Sequence, residues 1–253
     1  MDFSNKYVLG FALVLCIVCS ALVSSTAVAL KERQDANKEL DQRRQVIRVA
    51  GLAQPGEALP KETVDTLFEN IQGRVIDRET GDYIDVPVAS VNPVKESKDP
   101  SMSSSTPSEF KAAQVSRLSN RLQVFEVKTP GKECLVLPIH GKGLWSTMYG
   151  YLALKNDLSE VVGITFYAHG ETPGLGGEID NPSWKDQFPG KGVYGTDGVG
   201  LGVVKASAPR DKAYEVDGLS GATITTKGVD ATIKLWLGPA GYGPYLEQFK
   251  TQG

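Results

Sequence analysis

Three hydroxyl side chains, Thr223, Thr225 and Thr226, fall within four residues of VDGLSGATITTKGVD (Val216 to Asp230), where a Gly-rich loop runs into a helix-like segment. Asp217-Gly218 bends the chain, and Ser220, Gly221 and Ala222 are small enough for backbone to approach a ligand closely. A helix N-terminus offers free N–H groups and the positive end of the dipole, which suits a phosphate. A hydroxyl there can cap the helix, donate to a phosphate or become esterified to one. On spacing alone capping is favoured, because Thr is a common residue ahead of a helix.

Other chemistries find little support. GKGVYG (Gly190 to Gly195) has G-x-G-x-x-G spacing, but KDQFP precedes it and GTDGVGLG follows, so the strand and helix of a dinucleotide turn are missing. No G-x-S-x-G elbow is present, and neither His140 nor His169 has a serine or cysteine partner by motif; no catalytic residue is assigned. The only cysteine outside the N-terminal apolar run is Cys134, in the buried-looking run CLVLPI, so no metal site is expected. A formal charge of −3 over 253 residues, without a basic stripe, speaks against nucleic acid as a partner.

The elements that must position the threonines begin with an anchor. Tyr7 to Leu30 carries no charge over 24 residues. As a helix it reaches about 36 Å, enough for a hydrocarbon core of ~30 Å. A cleaved signal peptide, with Ala27-Val28-Ala29 as its cleavage site, is the alternative; the length favours a retained span in the lipid bilayer. Lys31, Arg33, Lys38, Arg43 and Arg44 follow the span and only Lys6 precedes it, so positive-inside reasoning alone puts the larger part in the cytoplasm.

Lys31 to Val49 reads as a charged helix continuing from the span, ended by Gly51 and AQPGEALP. Thr63 to Ile71 reads as a short amphipathic helix, RVIDRETGDYIDVPV (Arg74 to Val88) as a hairpin turning at Thr80-Gly81-Asp82, and Asn92 to Ser108 as a surface loop. Strand-like runs follow: QVFEVK, ECLVLPIHG, STMYGYLAL, EVVGITFYA and GLGVVKA, with an Asn156-Asp157 turn between the third and fourth. PSWKDQF is a short helix, and Thr226 to Leu237 a clearer one with Val229, Ile233 and Trp236 at helical spacing. The expected fold is α+β: one N-terminal transmembrane helix plus a domain built on a mostly antiparallel sheet flanked by helices.

Ser220 to Thr225, SGATIT, resembles the SGATxT flavinylation motif of FMN-binding domains in respiratory electron carriers. GKGLWSTMYGY (Gly141 to Tyr151) resembles the G-x-G-L-W-x-x-M-x-G block of that family, and HGETPGLGGEI (His169 to Ile179) its H-x-E-T-P-G-L-G block. The chain departs in having Thr226 where a serine often follows the motif. The resemblance is nearest to the C subunits of Na+-translocating NADH:quinone oxidoreductases. The homologous G subunits of Rnf-type complexes remain an alternative, as does a non-redox periplasmic binding module.

The resemblance implies FMN joined through a phosphoester to Thr225, with Ser220, Gly221, Ala222, Thr223 and Thr226 around it. Trp145, Met148, Leu175 and Thr172 are the expected flavin walls; Trp145 and Met148 lie in a strand-like run and read equally well as core. Gly174 and Gly176 are expected to shape the ETPGLG loop, and Glu171 to accept a hydrogen bond or orient that loop, with no proton transfer assigned to it. Lys142 is a further position expected near the phosphate. The implied organisation is a tail over residues 1–6, a transmembrane helix over 7–30, a charged helical connector over 31–50 and an FMN-binding domain over 51–253. The implied setting is the bacterial inner membrane, single-pass, with the flavin domain in the periplasm. A periplasmic FAD-dependent flavin transferase would attach the FMN, and a second FMN-bearing membrane subunit would take the electrons among the other subunits. NADH, ubiquinone and Na+ would be handled by those partners.

Overall fold

In the computed structural model, residues 4–54, 56–205, 208 and 211–252 are described; residues 1–3 of the expected tail, Pro55 of AQPGEALP and Ala206 of GLGVVKA lie outside them. Two compact units result, Met1–Gln42 and Arg43–Gly253. Helix α1 (Asn5–Val49) supplies the first unit and the opening turns of the second. Its apolar window has mean hydropathy 2.5 with none of it buried, so by length and composition it can cross a membrane. Thr26 donates back to the carbonyls of Leu22 and Val23 at 2.8 and 2.9 Å, so a polar side chain in the apolar stretch is satisfied within its own helix.

In the second unit, Val46, Ile47 and Val49 are buried and the helix then stops. Gly51, at φ +67, donates to Arg48 O, and Leu52 donates to Ile47 O. That bond pair is a Schellman close, which a residue with a Cβ would strain. Helix α2 (Lys61–Phe68) follows.

Six antiparallel strands form the main sheet: β1 (Ile71–Asp77), β2 (Tyr83–Ile84), β3 (Arg121–Val127), β4 (Cys134–Lys142), β5 (Thr147–Lys155) and β6 (Val161–Ala168), in the order β2-β1-β3-β4-β5-β6. β4 opposes β5 from Cys134↔Lys155 to Lys142↔Thr147. Because side chains alternate, Leu135, Leu137 and Ile139 share one face with Leu152, Leu154 and Met148, while Val136 shares the other with Tyr151 and Ala153. Both faces are buried here, which is why CLVLPI reads as a continuous apolar run rather than an alternation. The first face carries the main core, closed by Val229, Ile233 and Trp236 of α3 (Thr223–Leu237). Each such side chain contributes on the order of 1.5–3 kcal/mol when fully buried. On the second face Gly163 lies against the carbonyl of Val49. A parallel strand pair, Gly202–Val204 with Glu215–Asp217, leads into α3, and α4 (Gly243–Gln252) ends the chain.

Two glycines set how deep α3 sits. A Cβ on Gly228 would collide with the carbonyl of Lys142, and one on Gly141 with Thr232 Oγ1. Their absence lets the helix lie directly on the end of β4, so its first turn arrives beside the β4–β5 turn.

The expected fold class is observed, as are the hairpin at Gly81 and the four long strands. Asn92 to Ser108 is more ordered than a surface loop. Asn92 Oδ1 caps a short helix (Pro93–Glu96), and Ser103–Ser105 pairs with Arg117–Ser119. The buried Glu96 carboxylate holds that region, accepting from Arg121 at 2.6 Å and Ser119 Oγ at 2.8 Å.

Candidate functional site

The three threonines diverge because successive helical residues point ~100° apart. Thr223 is exposed. Thr226 is buried, and its Oγ1 accepts from Leu219 N at 3.0 Å, tying the loop back to the helix. Thr225 is 1% exposed, and its Oγ1 donates to Glu171 Oε2 at 2.7 Å. None of them caps the helix. The N-cap is Ala222, without a side-chain cap, so plain capping is set aside for this loop. The first-turn N–H groups of Thr223, Ile224 and Thr225 therefore have no intrahelical partner.

Glu171 is the centre of the arrangement. It is 5% exposed and accepts from Leu144 N at 3.0 Å, Trp145 N at 2.9 Å and Ser146 N at 3.0 Å, in addition to Thr225. Desolvation pushes its carboxyl pKa up, but the hydrogen bonds from Thr225, Trp145, Ser146 and Leu144 outweigh it and hold the group below its ordinary value. Its own N–H donates to His169 Nδ1 at 3.2 Å, and His169 Nε2 is 2.7 Å from Asp180 Oδ2. Three chain segments thus meet at one carboxylate: the β4–β5 turn, the loop after β6 and the start of α3.

Glycines make room for this. A Cβ on Gly176 would stand 2.6 Å from Thr225 Oγ1 and 2.8 Å from Glu171 Oε2, and one on Gly143 would stand 2.6 Å from Glu171 Oε1. Gly174 takes φ +74, a left-handed turn that suits glycine, and Gly221 takes φ +71 with Leu175 Cδ2 3.0 Å from where its Cβ would be.

Around this polar knot sit side chains that a folded core would normally hide. Trp145 is 67% exposed, and Leu144, Leu175 and Ile224 are also exposed. Thr172, Pro173 and Ser220 are exposed beside them, with Thr172 O accepting from Leu175 N and Gly177 N. Of the expected flavin walls, Trp145, Leu175 and Thr172 lie at the surface. Met148 does not: it is fully buried opposite Gly141 on the core face, and the expectation that it walls a ligand is corrected. Lys142 lines a separate cavity of about 470 Å³ with Lys98, Arg117, His140 and Tyr149. Burial lowers the pKa of His140 to about 4, so its ring is neutral. Among the described residues no cluster of His, Cys, Asp and Glu could hold a metal ion.

Gly143, Leu144, Ser146 and Ile224 were not read as site residues. Ser146 accepts from Gly170 N at 2.6 Å through Oγ and donates its own N–H to Glu171. Nothing in its type marks that role; only the glycine pair Gly141 and Gly143 hinted that something packs closely on the turn.

The FMN-binding domain family matches residues 143–238, which take in the β4–β5 turn, the loop after β6 and all of α3. The C subunit of the Na(+)-translocating NADH-quinone reductase of Pseudomonas aeruginosa is 42% identical over 98% of this chain and 97% of its own length. Its counterpart in Vibrio alginolyticus is 41% identical over 98% of this chain and 96% of its own. Among solved structures, Shewanella oneidensis NqrC superposes with a TM-score of 0.76 at 30% identity, covering 85% of this chain and 99% of that one. The C subunit of the same reductase from Parabacteroides distasonis gives 0.68 at 26% identity, covering 86% and 96%.

Proposed function

Because the chain belongs to the family of C subunits of the Na(+)-translocating NADH-quinone reductase, we propose that this FMN-carrying, membrane-anchored protein holds its flavin covalently, through a phosphoester on Thr225. The observation that carries the choice of residue is the Thr225–Glu171 contact of 2.7 Å at the mouth of α3. Thr226 is committed to Leu219 and Thr223 points to solvent, so Thr225 alone combines a held hydroxyl with first-turn N–H groups that lack an intrahelical partner.

The residues fit an esterified flavin mononucleotide. A phosphodiester of charge about −1 beside those N–H groups gains roughly 0.3–1 kcal/mol from the helix dipole. The exposed Trp145, Leu144, Leu175 and Ile224 offer an apolar bed for an isoalloxazine ring. When bound, the flavin accepts and passes on electrons; the chain's own work is to hold it, since a carrier that cycles between redox states gains from a cofactor that cannot dissociate.

The remaining parts of the reading follow the family. The flavin domain lies on the periplasmic side of the inner membrane, where an FAD-dependent flavin transferase loads it, and a second FMN-bearing subunit receives its electrons. The cations after the span, Lys31 to Arg44, run against the positive-inside rule, and one short N-terminal tail gives that rule little to compare. The sequences of the relatives favour this complex over an Rnf-type one.

The test is intact mass under denaturing conditions, on protein made with the transferase. Wild type is expected to carry the added mass of FMN less water and to fluoresce in a denaturing gel. Thr225→Ala should do neither. A wild-type mass equal to the bare polypeptide would overturn the covalent reading.

A further inference from the structure

Esterification of Thr225 must remove the proton that its hydroxyl now donates. That proton already points at one atom, Glu171 Oε2, 2.7 Å away. Among the described residues the hydroxyl has no second hydrogen-bond partner. The carboxylate cannot swing off the hydroxyl, because Leu144, Trp145 and Ser146 N–H groups fix both its oxygens. The ring of His169 touches Glu171 only through the backbone N–H, and its far nitrogen is occupied by Asp180.

We propose that Glu171 is the base of flavin attachment, taking the Thr225 proton and keeping it afterwards as the donor to the ester oxygen. This rests on Thr225 being the attachment site. The step is a phosphoryl transfer from a flavin dinucleotide. Thr225 Oγ1 forms a bond to the phosphorus of the FMN half, the bond from that phosphorus to the bridging oxygen breaks, and AMP leaves with the bonding electron pair. The hydroxyl proton passes to Glu171 Oε2, and no electron changes hands. A base within hydrogen-bond reach of the attacking hydroxyl, already aligned, meets the geometric requirement for general base catalysis.

Retention of the proton follows from what the ester leaves behind. Oγ1 then has no hydrogen to give, and an ionised carboxylate would face an oxygen lone pair beside a phosphodiester anion. Like charge at that distance favours the neutral acid. A protonated Glu171 restores the same hydrogen bond with donor and acceptor exchanged. The groups touching the carboxylate from the other elements are backbone N–H groups of the β4–β5 turn, the Ser146 hydroxyl of that turn at 3.3 Å and Thr225 of α3, with His169 and Asp180 behind its own backbone.

Attachment rate is measured by mass on the full chain with transferase and FAD, for wild type, Glu171→Gln and Glu171→Asp. Glu171→Gln is expected to lose at least about 100-fold in the maximal rate, the usual reach of a general base, with the half-saturating concentration of the acceptor protein little changed. Glu171→Asp should recover part of the rate. Infrared difference spectra of [13C]glutamate-labelled wild type, before and after attachment, should gain one protonated carboxyl band; this readout stands even where a variant fails to fold. Wild-type rates in a folded Glu171→Gln, or no protonated band, overturn the proposal while the Thr225 reading survives. If Thr225→Ala still gains flavin, or wild type never does, both fall together.

Discussion

Replacing Glu171 by Ala removes an acceptor shared by Leu144 N, Trp145 N, Ser146 N, Ser146 Oγ and Thr225 Oγ1. Hydrogen bonds to a charged group contribute about 1.5–3 kcal/mol each, but these five are not equal or additive. Leu144 and Trp145 belong to an exposed turn, where water can take over their N–H groups. Thr225 is sealed at 1% exposure and finds no such substitute. The net loss is therefore expected to be roughly 2–5 kcal/mol, dominated by the orphaned hydroxyl and the Ser146 amide. For a domain of this size that is on the order of 5–15 °C in Tm. The pH dependence gives a second check. The folded carboxyl is held below its ordinary 4.5, so its stabilisation is fully present above that value and is lost as pH falls through the lowered folded value. Thermal unfolding of unflavinylated wild type and Glu171→Ala should differ clearly at pH 7 and converge in acid. Equal Tm values at pH 7, or a gap unchanged at strongly acidic pH, would refute the claim that this carboxylate ties the three segments together.

Three further outcomes are expected. Gly176→Ala puts a Cβ 2.6 Å from Thr225 Oγ1, so something must shift; a loss of about 1–3 kcal/mol by calorimetry and slower flavin attachment by mass should follow. Thr226→Ala orphans the buried Leu219 N–H, which costs roughly 1–3 kcal/mol in denaturant unfolding, yet attachment at Thr225 should persist. The His140 ring, whose pKa burial lowers to about 4, should show no NMR titration near the ordinary 6.5; its contribution to stability is present above 6.5 and declines as pH falls toward 4.

What sequence made legible follows local rules. The β4–β6 strands announce themselves through apolar and β-branched runs with a polar turn between, and α3 through Val229, Ile233 and Trp236. What it concealed depends on distant partners. Pro93–Glu96 looks like loop because Ser, Pro and Lys dominate its surroundings, and its order comes from Arg121, 25 residues further on. Helix α4 hides in the Gly- and Pro-rich run GPAGYGP, which reads as loop although Pro244 is well placed in a first turn, and it is stabilised by burying Tyr245 and Leu246. Trp145 and Met148 sit three residues apart in one motif and are equally apolar. Met148 lies in β5 opposite Gly141 and joins the core, while Trp145 lies in the turn before it and stays outside. Periodicity cannot separate them without the position of that turn.

The same limit governs the threonines. Composition crowds three hydroxyls into four residues, yet only one meets a carboxylate, and that carboxylate stands 54 residues earlier in the chain. Thr225 becomes distinct only once Gly141 and Gly228 let α3 settle onto β4 and carry its first turn to the β4–β5 loop. The same packing seals it: Thr225 is 1% exposed, and a Cβ on Gly176 would stand 2.6 Å from its Oγ1. The covering turn is closed by Leu175 and Gly177 donating to Thr172 O; Thr172, Pro173, Gly174 and Leu175 are exposed, while Gly176 and, just beyond, Ile179 are buried and hold its far end in the core. Base and nucleophile are thus held by different elements, Glu171 by the β4–β5 turn and Thr225 by the helix, and only the folded chain brings them together.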